Sequence, residues 1–208
     1  MAHEVHHGGG HAKSPGALAL ELLMICVGVF LGLQVDQWKE SREHRELAHA
    51  ALEKFRAEMA QNQAALAREA PYHAELSRGF RPFLGGSPPA VGSVGELMSR
   101  AGWRGSGNVS FRHTAWDVAL AGQALTYLDQ RLAFAIADVY LGQQKYEEYQ
   151  LTTQRAALNP ASLRPDALPG VGMLLGIYYN DAAQSNDPQL AAQYRALLPR
   201  IDSALARR

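Results

Sequence analysis

Residues 17–35 read ALALELLMICVGVFLGLQV, nineteen positions in which only Glu21 and Gln34 are strongly polar. At 1.5 Å per residue a helix of this length spans roughly 28 Å, close to the thickness of a bilayer's hydrocarbon core. A membrane-crossing helix is therefore expected over residues 15–37. Ser14 and Pro15 supply an N-cap and a first-turn proline, and Trp38 and Lys39 stand where an aromatic ring and a long-stemmed ammonium meet headgroups. A cleavable signal peptide is the rival reading of the same run. It calls for a basic stretch in front, a shorter apolar run and an A-x-A site behind, and the anchor reading is preferred because this segment shows none of them.

In front of the apolar run, residues 1–14 are polar, glycine-interrupted and histidine-rich, so a disordered tail is expected there. His3, His6, His7 and His11 carry imidazoles able to ligate a divalent metal. The three glycines between His7 and His11 work against a fixed geometry, and Glu4 is the only carboxylate close by. A solvated tail is the expected reading, with these histidines as weak metal candidates.

Behind the run, helix formers continue without proline or glycine as far as Pro71. This predicts one nearly continuous helix from about Pro15 to about Ala70, within a juxtamembrane amphipathic region spanning 38–78. Leu52, Phe55, Met59, Asn62 and Leu66 recur at three- and four-residue steps and form a packing seam. Residues 81–108 hold seven glycines and three prolines, so 79–110 reads as loop, with Ser93 and Glu96 spaced as a capping box for one short helix. Thr114 and Asp117 have the same spacing and open an apolar segment, 115–128, whose Val118, Leu120, Leu125 and Leu128 predict a core helix. Asp129 is placed to cap a longer helix striped by Leu132, Ile136, Val139, Tyr140 and Tyr146 and stopped at Asn159-Pro160. VGMLLGIYY (171–179) is half a membrane span and predicts a buried helix; Asp187-Pro188 starts a last amphipathic helix that ends in Arg207 and Arg208. No alternation of period two persists, so the fold class is all-α, with a small helical bundle over 111–208.

Composition narrows the function classes. Lysine plus arginine and aspartate plus glutamate number 20 each, which leaves no net field to attract nucleic acid. The single cysteine, Cys26, lies within the apolar run, so neither an intrachain disulfide nor a thiolate metal cluster can form. No cofactor motif is present, and none is expected.

The run from Glu21 to Glu43, ELLMICVGVFLGLQVDQWKESRE, resembles the start of a family of small, uncharacterised bacterial single-pass membrane proteins. In that family the anchor carries a glutamate at one end, glycine within, and a Leu-Gln-x-Asn/Asp-x-Trp exit followed by a charged helix. The matching positions are Glu21, Gly28, Leu33, Gln34, Asp36 and Trp38, and the resemblance covers roughly residues 17–66. It implies an inner-membrane protein with its soluble domain in the periplasm. The positive-inside count points the other way, with one basic residue before the anchor (Lys13) and five after it (Lys39, Arg42, Arg45, Lys54 and Arg56). Of the two, the periplasmic placement is the expectation adopted. Residues 136–160 are also similar to the middle of one tetratricopeptide repeat, through Ala137, Tyr140, Tyr146, Ala156 and Pro160, but no second copy follows at the repeat's period.

Two groupings remain. His113 and Asp117 stand one helical turn apart, so that the carboxylate could orient an imidazole, but no nucleophile can be placed beside them and Asp117 is already used as a cap. RGSG (104–107) lacks the spacing of a phosphate loop or nucleophile elbow and reads as a turn. On the anchor, by contrast, Ala17, Glu21, Gly28 and Gly32 fall within about 60° of one another on a helical wheel. Small residues let a second helix approach closely. The expectation is a non-enzymatic single-pass membrane protein that assembles through this face and the juxtamembrane seam, with itself or as an accessory subunit. A membrane-tethered helical sensor that binds a ligand between its helices is the alternative.

Overall fold

The computed structural model describes residues 15–207, with side chains from residue 20 onward. Among them are six α-helices and no strand: α1 Pro15–Phe80, α2 Val94–Arg100, α3 Thr114–Ala121, α4 Gln130–Ala157, α5 Leu168–Asp181 and α6 Asp187–Leu205. Short 3-10 turns occupy Arg81–Leu84 and Ala124–Tyr127, and a π-helical turn, Ala182–Asn186, joins α5 to α6. The chain divides into two units, the first ending at Glu46 and the second starting at Leu47.

In the first unit every large apolar side chain from Leu20 to Val35 is exposed, by 46% to 68%. This is the one helix among the described residues long and apolar enough to cross a membrane, with a mean hydropathy of 1.6 in its apolar window. The helix assignment runs unbroken from Val35 to Leu47, as the lack of breakers there predicts.

The same helix continues through Pro71 to Phe80, past the end expected at Ala70. Proline inside a helix deletes one backbone hydrogen bond and crowds the preceding turn, at a cost of about 3 kcal/mol. Beyond it, however, His73, Leu76, Ser77 and Phe80 extend the buried seam. Burying a leucine and a phenylalanine contributes roughly 1.5–3 kcal/mol each, enough to offset the proline.

The second unit has two apolar clusters. In one, Leu52, Phe55, Met59 and Leu66 of α1 join the α4 stripe around Ile136 and Tyr140, and Leu190, Tyr194 and Ile201 of α6. In the other, Leu76 and Phe80 join Phe83, Leu97 of α2, and Val171, Leu175, Tyr178 and Tyr179 of α5. The turn Arg81–Leu84 lies hard against α5. A Cβ built on Gly172 would come within 2.5 Å of the Phe83 ring, and one on Gly176 within 2.9 Å of the Leu84 side chain.

Two local expectations are corrected. The segment 115–128 is not one core helix: α3 stops at Ala121, Gln123 takes a left-handed φ of 56°, and a 3-10 turn follows. It buries its small residues Ala115, Ala119 and Ala124, while Val118 and Leu120 are exposed. Thr114 is the first helical residue rather than the cap: His113 occupies the N-cap position, and its side chain makes no capping bond. Asp187-Pro188 opens the last helix, α6, as expected. In the π-helical turn before it Asp187 N donates to the Ala182 carbonyl, and Asp187 itself is 4% exposed.

Candidate functional site

On the anchor, Glu21, Gly28 and Gly32 lie on fully exposed helix, and a Cβ on either glycine would meet nothing within 4 Å. Ala17 belongs to the same helix, but its side chain lies outside those described, as do His3, His6, His7 and His11 with the whole tail. The face therefore presents two open glycines to whatever surrounds the helix.

The juxtamembrane residues Leu52, Phe55, Met59 and Leu66 are all buried, and their neighbours belong to the same chain. Phe55 meets the Tyr140 ring edge-on at 6.0 Å between centroids, and Met59 Sδ accepts from Gln143 Nε2 at 3.6 Å. Asn62, the polar member of the seam, is 1% exposed and fully used: its Nδ2 donates to the Arg112 carbonyl and its Oδ1 accepts from Arg112 N, both at 2.9 Å. The seam is thus spent on the unit's own core.

The strongest electrostatic grouping was not apparent from the sequence. His73, completely buried on α1, has Nδ1 at 2.7 Å from Asp187 Oδ2 of α6 and Nε2 at 2.7 Å from the Gly107 carbonyl. With Asp187 ionised both oxygens accept, an arrangement that suits the doubly protonated ring with each nitrogen donating. Tyr146 of α4 donates to the other Asp187 oxygen at 2.8 Å. Burial by itself would push the His73 pKa down. The hydrogen bond and charge of Asp187, the Gly107 carbonyl and the Glu69 charge outweigh it, and the net direction is up. Both nitrogens face protein oxygens and none opens to solvent, so this group ties α1, α4, α6 and the loop together and offers no lone pair to a substrate.

That loop is RGSG (104–107), a bend at Arg104 and Gly105 followed by irregular chain. Gly105 and Gly107 take φ of 139° and 62°, values that disfavour any residue with a Cβ. Tyr72 OH accepts from Arg104 N and donates to the Gly105 carbonyl, while Tyr179 OH donates to the Ser106 carbonyl at 2.7 Å.

Glu58, 7% exposed on α1, takes over the role expected of Thr114 and Asp117. Its carboxylate accepts from Ala115 N at 3.0 and 3.2 Å and from Tyr140 OH at 2.5 Å, placing negative charge at the start of α3. Burial and this carboxylate push the Tyr140 hydroxyl's pKa up. His113 is paired with Glu147, 2.9 Å from Nε2 to Oε2, and not with Asp117. The two are half-buried in a shallow hollow with Asp117, Asp138 and Tyr140, whose lining includes no serine, threonine or cysteine. Among the described residues no group of three histidine, cysteine or acidic side chains is placed to hold a metal ion.

One signal could have revealed the His73 pair: the seam periodicity carried past Pro71 places His73 inside, and a buried histidine requires acceptors. No family model, curated protein or solved structure matches this chain in any of the three comparisons made.

Proposed function

We propose that this chain is a non-enzymatic single-pass membrane protein of the bacterial inner membrane, whose anchor helix assembles with another membrane helix. The partner is a second copy or a subunit of a larger complex for which this chain is an accessory. The observation that carries the reading is the uncovered surface from Leu20 to Val35, with its two glycines open. An apolar face this long is not left to water in a soluble protein, and lipid or another helix must cover it. The juxtamembrane seam faces inward, so its contribution to assembly is indirect: it fixes the soluble unit that the anchor carries. The soluble domain is placed in the periplasm, following the resemblance of residues 21–43.

Gly28→Leu and Gly32→Leu test the helix contact by crosslinking yield or membrane two-hybrid signal. Each adds a branched side chain where backbones would meet, so association is expected to fall while membrane insertion persists. Val27→Leu on another face is the control and is expected to change little. Undiminished association in both glycine variants would overturn the helix-contact reading. A phosphatase fused after Arg208 is expected to be active, and an inactive phosphatase with a fluorescent cytoplasmic reporter would reverse the orientation.

A further inference from the structure

The second unit contains a cleft of about 320 Å³ among α2, the C-terminal half of α4, and α5. Leu97, Met98, Trp103, Leu168 and Leu175 give it an apolar wall. Although the chain carries 20 acidic and 20 basic residues, none of them lines this cleft. The polar groups on the wall are neutral, among them Ser106, Asn108 and Gln154. Tyr178, also part of the wall, has a buried hydroxyl without a hydrogen-bond partner among the described residues. Leu158 and Leu163 line the cleft while remaining exposed, which puts them at its mouth.

We propose that this cleft binds a small, uncharged, largely apolar molecule bearing one neutral hydrogen-bonding group. Size excludes a helix from a partner, which is 10–12 Å across with its side chains, whereas about 320 Å³ falls at the small end of the volumes that enclose metabolite-sized molecules. Chemistry excludes an ion: a charged ligand would give up hydration and find no counter-charge in the wall. The groove beside α3 differs on both counts. It is about 610 Å³, more open, and flanked by Lys54, Glu58 and Arg112. The proposal stands apart from the anchor's role, because every residue it uses lies in the second unit.

Trp103 supplies the readout. In the full chain, kept in nonionic detergent, Trp38→Phe and Trp116→Phe leave it the only tryptophan of the three. The probes are 4-ethylphenol and 4-ethylbenzoate, similar in size but respectively neutral and anionic at pH 7. Saturable 1:1 perturbation of Trp103 fluorescence by the phenol is expected, with at least tenfold weaker binding of the benzoate. Ala157→Phe, which fills the cleft from α4, is expected to weaken the phenol at least tenfold. Leu158→Lys puts an ammonium at the mouth, in a position favourable for a helix C-terminus, and is expected to narrow the preference for phenol over benzoate. A non-saturable response, equal affinity for the two probes, or undiminished phenol binding in Ala157→Phe would overturn the proposal. If circular dichroism shows Ala157→Phe to be unfolded, Leu158→Lys decides: an unchanged preference rejects the site.

Discussion

Two apolar helices of this chain share one glycine spacing and have opposite surroundings. The anchor carries Gly28 and Gly32 four residues apart in an apolar helix, and α5 carries Gly172 and Gly176 in the same way. In α5 the chain supplies the partner: the Arg81–Leu84 turn sets Phe83 and Leu84 directly on the glycine face. In the anchor the glycine face is open, and the side chains between the glycines are exposed as well. Paired glycines in an apolar helix mark where a backbone can be approached closely. They do not say who approaches. The interior of the second unit also bonds most of its buried polar groups with its own residues, the Tyr178 hydroxyl and Gln143 Oε1 excepted, down to a histidine with both ring nitrogens bonded, whereas the anchor's apolar side chains are exposed.

The largest expected effect comes from breaking that internal satisfaction. His73→Ala leaves Asp187 buried with only Tyr146 to bond it, and removing one member of a buried ion pair costs roughly 3–5 kcal/mol. Chemical denaturation of the second unit should show a loss of that order; a loss below about 1 kcal/mol would mean that the pair is not formed.

Next is the glycine comparison itself. Gly172→Leu drives a side chain into the Phe83 ring and is expected to destabilise the unit by about 1–3 kcal/mol, the usual range for overpacking. Gly28→Leu should leave the thermal melting of the unit unchanged. Equal shifts from the two substitutions would dissolve the contrast between the two helices.

A pH titration sharpens it further. The folded pKa of His73 is raised above the ordinary value near 6.5, so the folded state holds the proton more tightly than the unfolded chain does. Its contribution is therefore complete below about pH 6.5 and declines as pH rises through the folded value. Denaturation free energies between pH 5.5 and 9 should fall along this limb in the parent and stay flatter in His73→Gln. A parent curve that rises over the same interval would contradict the sign.

The smallest effect is expected on the outer face of α3. Val118→Ser removes an apolar side chain that is already 66% exposed, and the change in stability should stay within about 0.5 kcal/mol. A larger loss would show that this face is covered in the folded protein.

What was legible in the sequence was local. The apolar run fixes a helix because its residues are contiguous, and the Leu52–Leu66 seam fixes an inward face because its period matches the helix. Ser93 and Asp129 were readable as caps because a side-chain oxygen reaches only two or three residues along the chain; they accept from Glu96 N and Leu132 N. What only the tertiary structure decided depends on residues far apart in sequence. Glu58 displaces the Thr114–Asp117 cap from 57 positions away, and Asp187, at the helix start where it was expected, pairs with His73, 114 positions distant. Helix propensity placed the end of α1 at Pro71, but the buried Leu76 and Phe80 carried it on, because packing several apolar side chains outweighs one lost hydrogen bond. Periodicity and capping act within a few turns of one helix, whereas the partners of a buried charge are chosen by where whole helices meet.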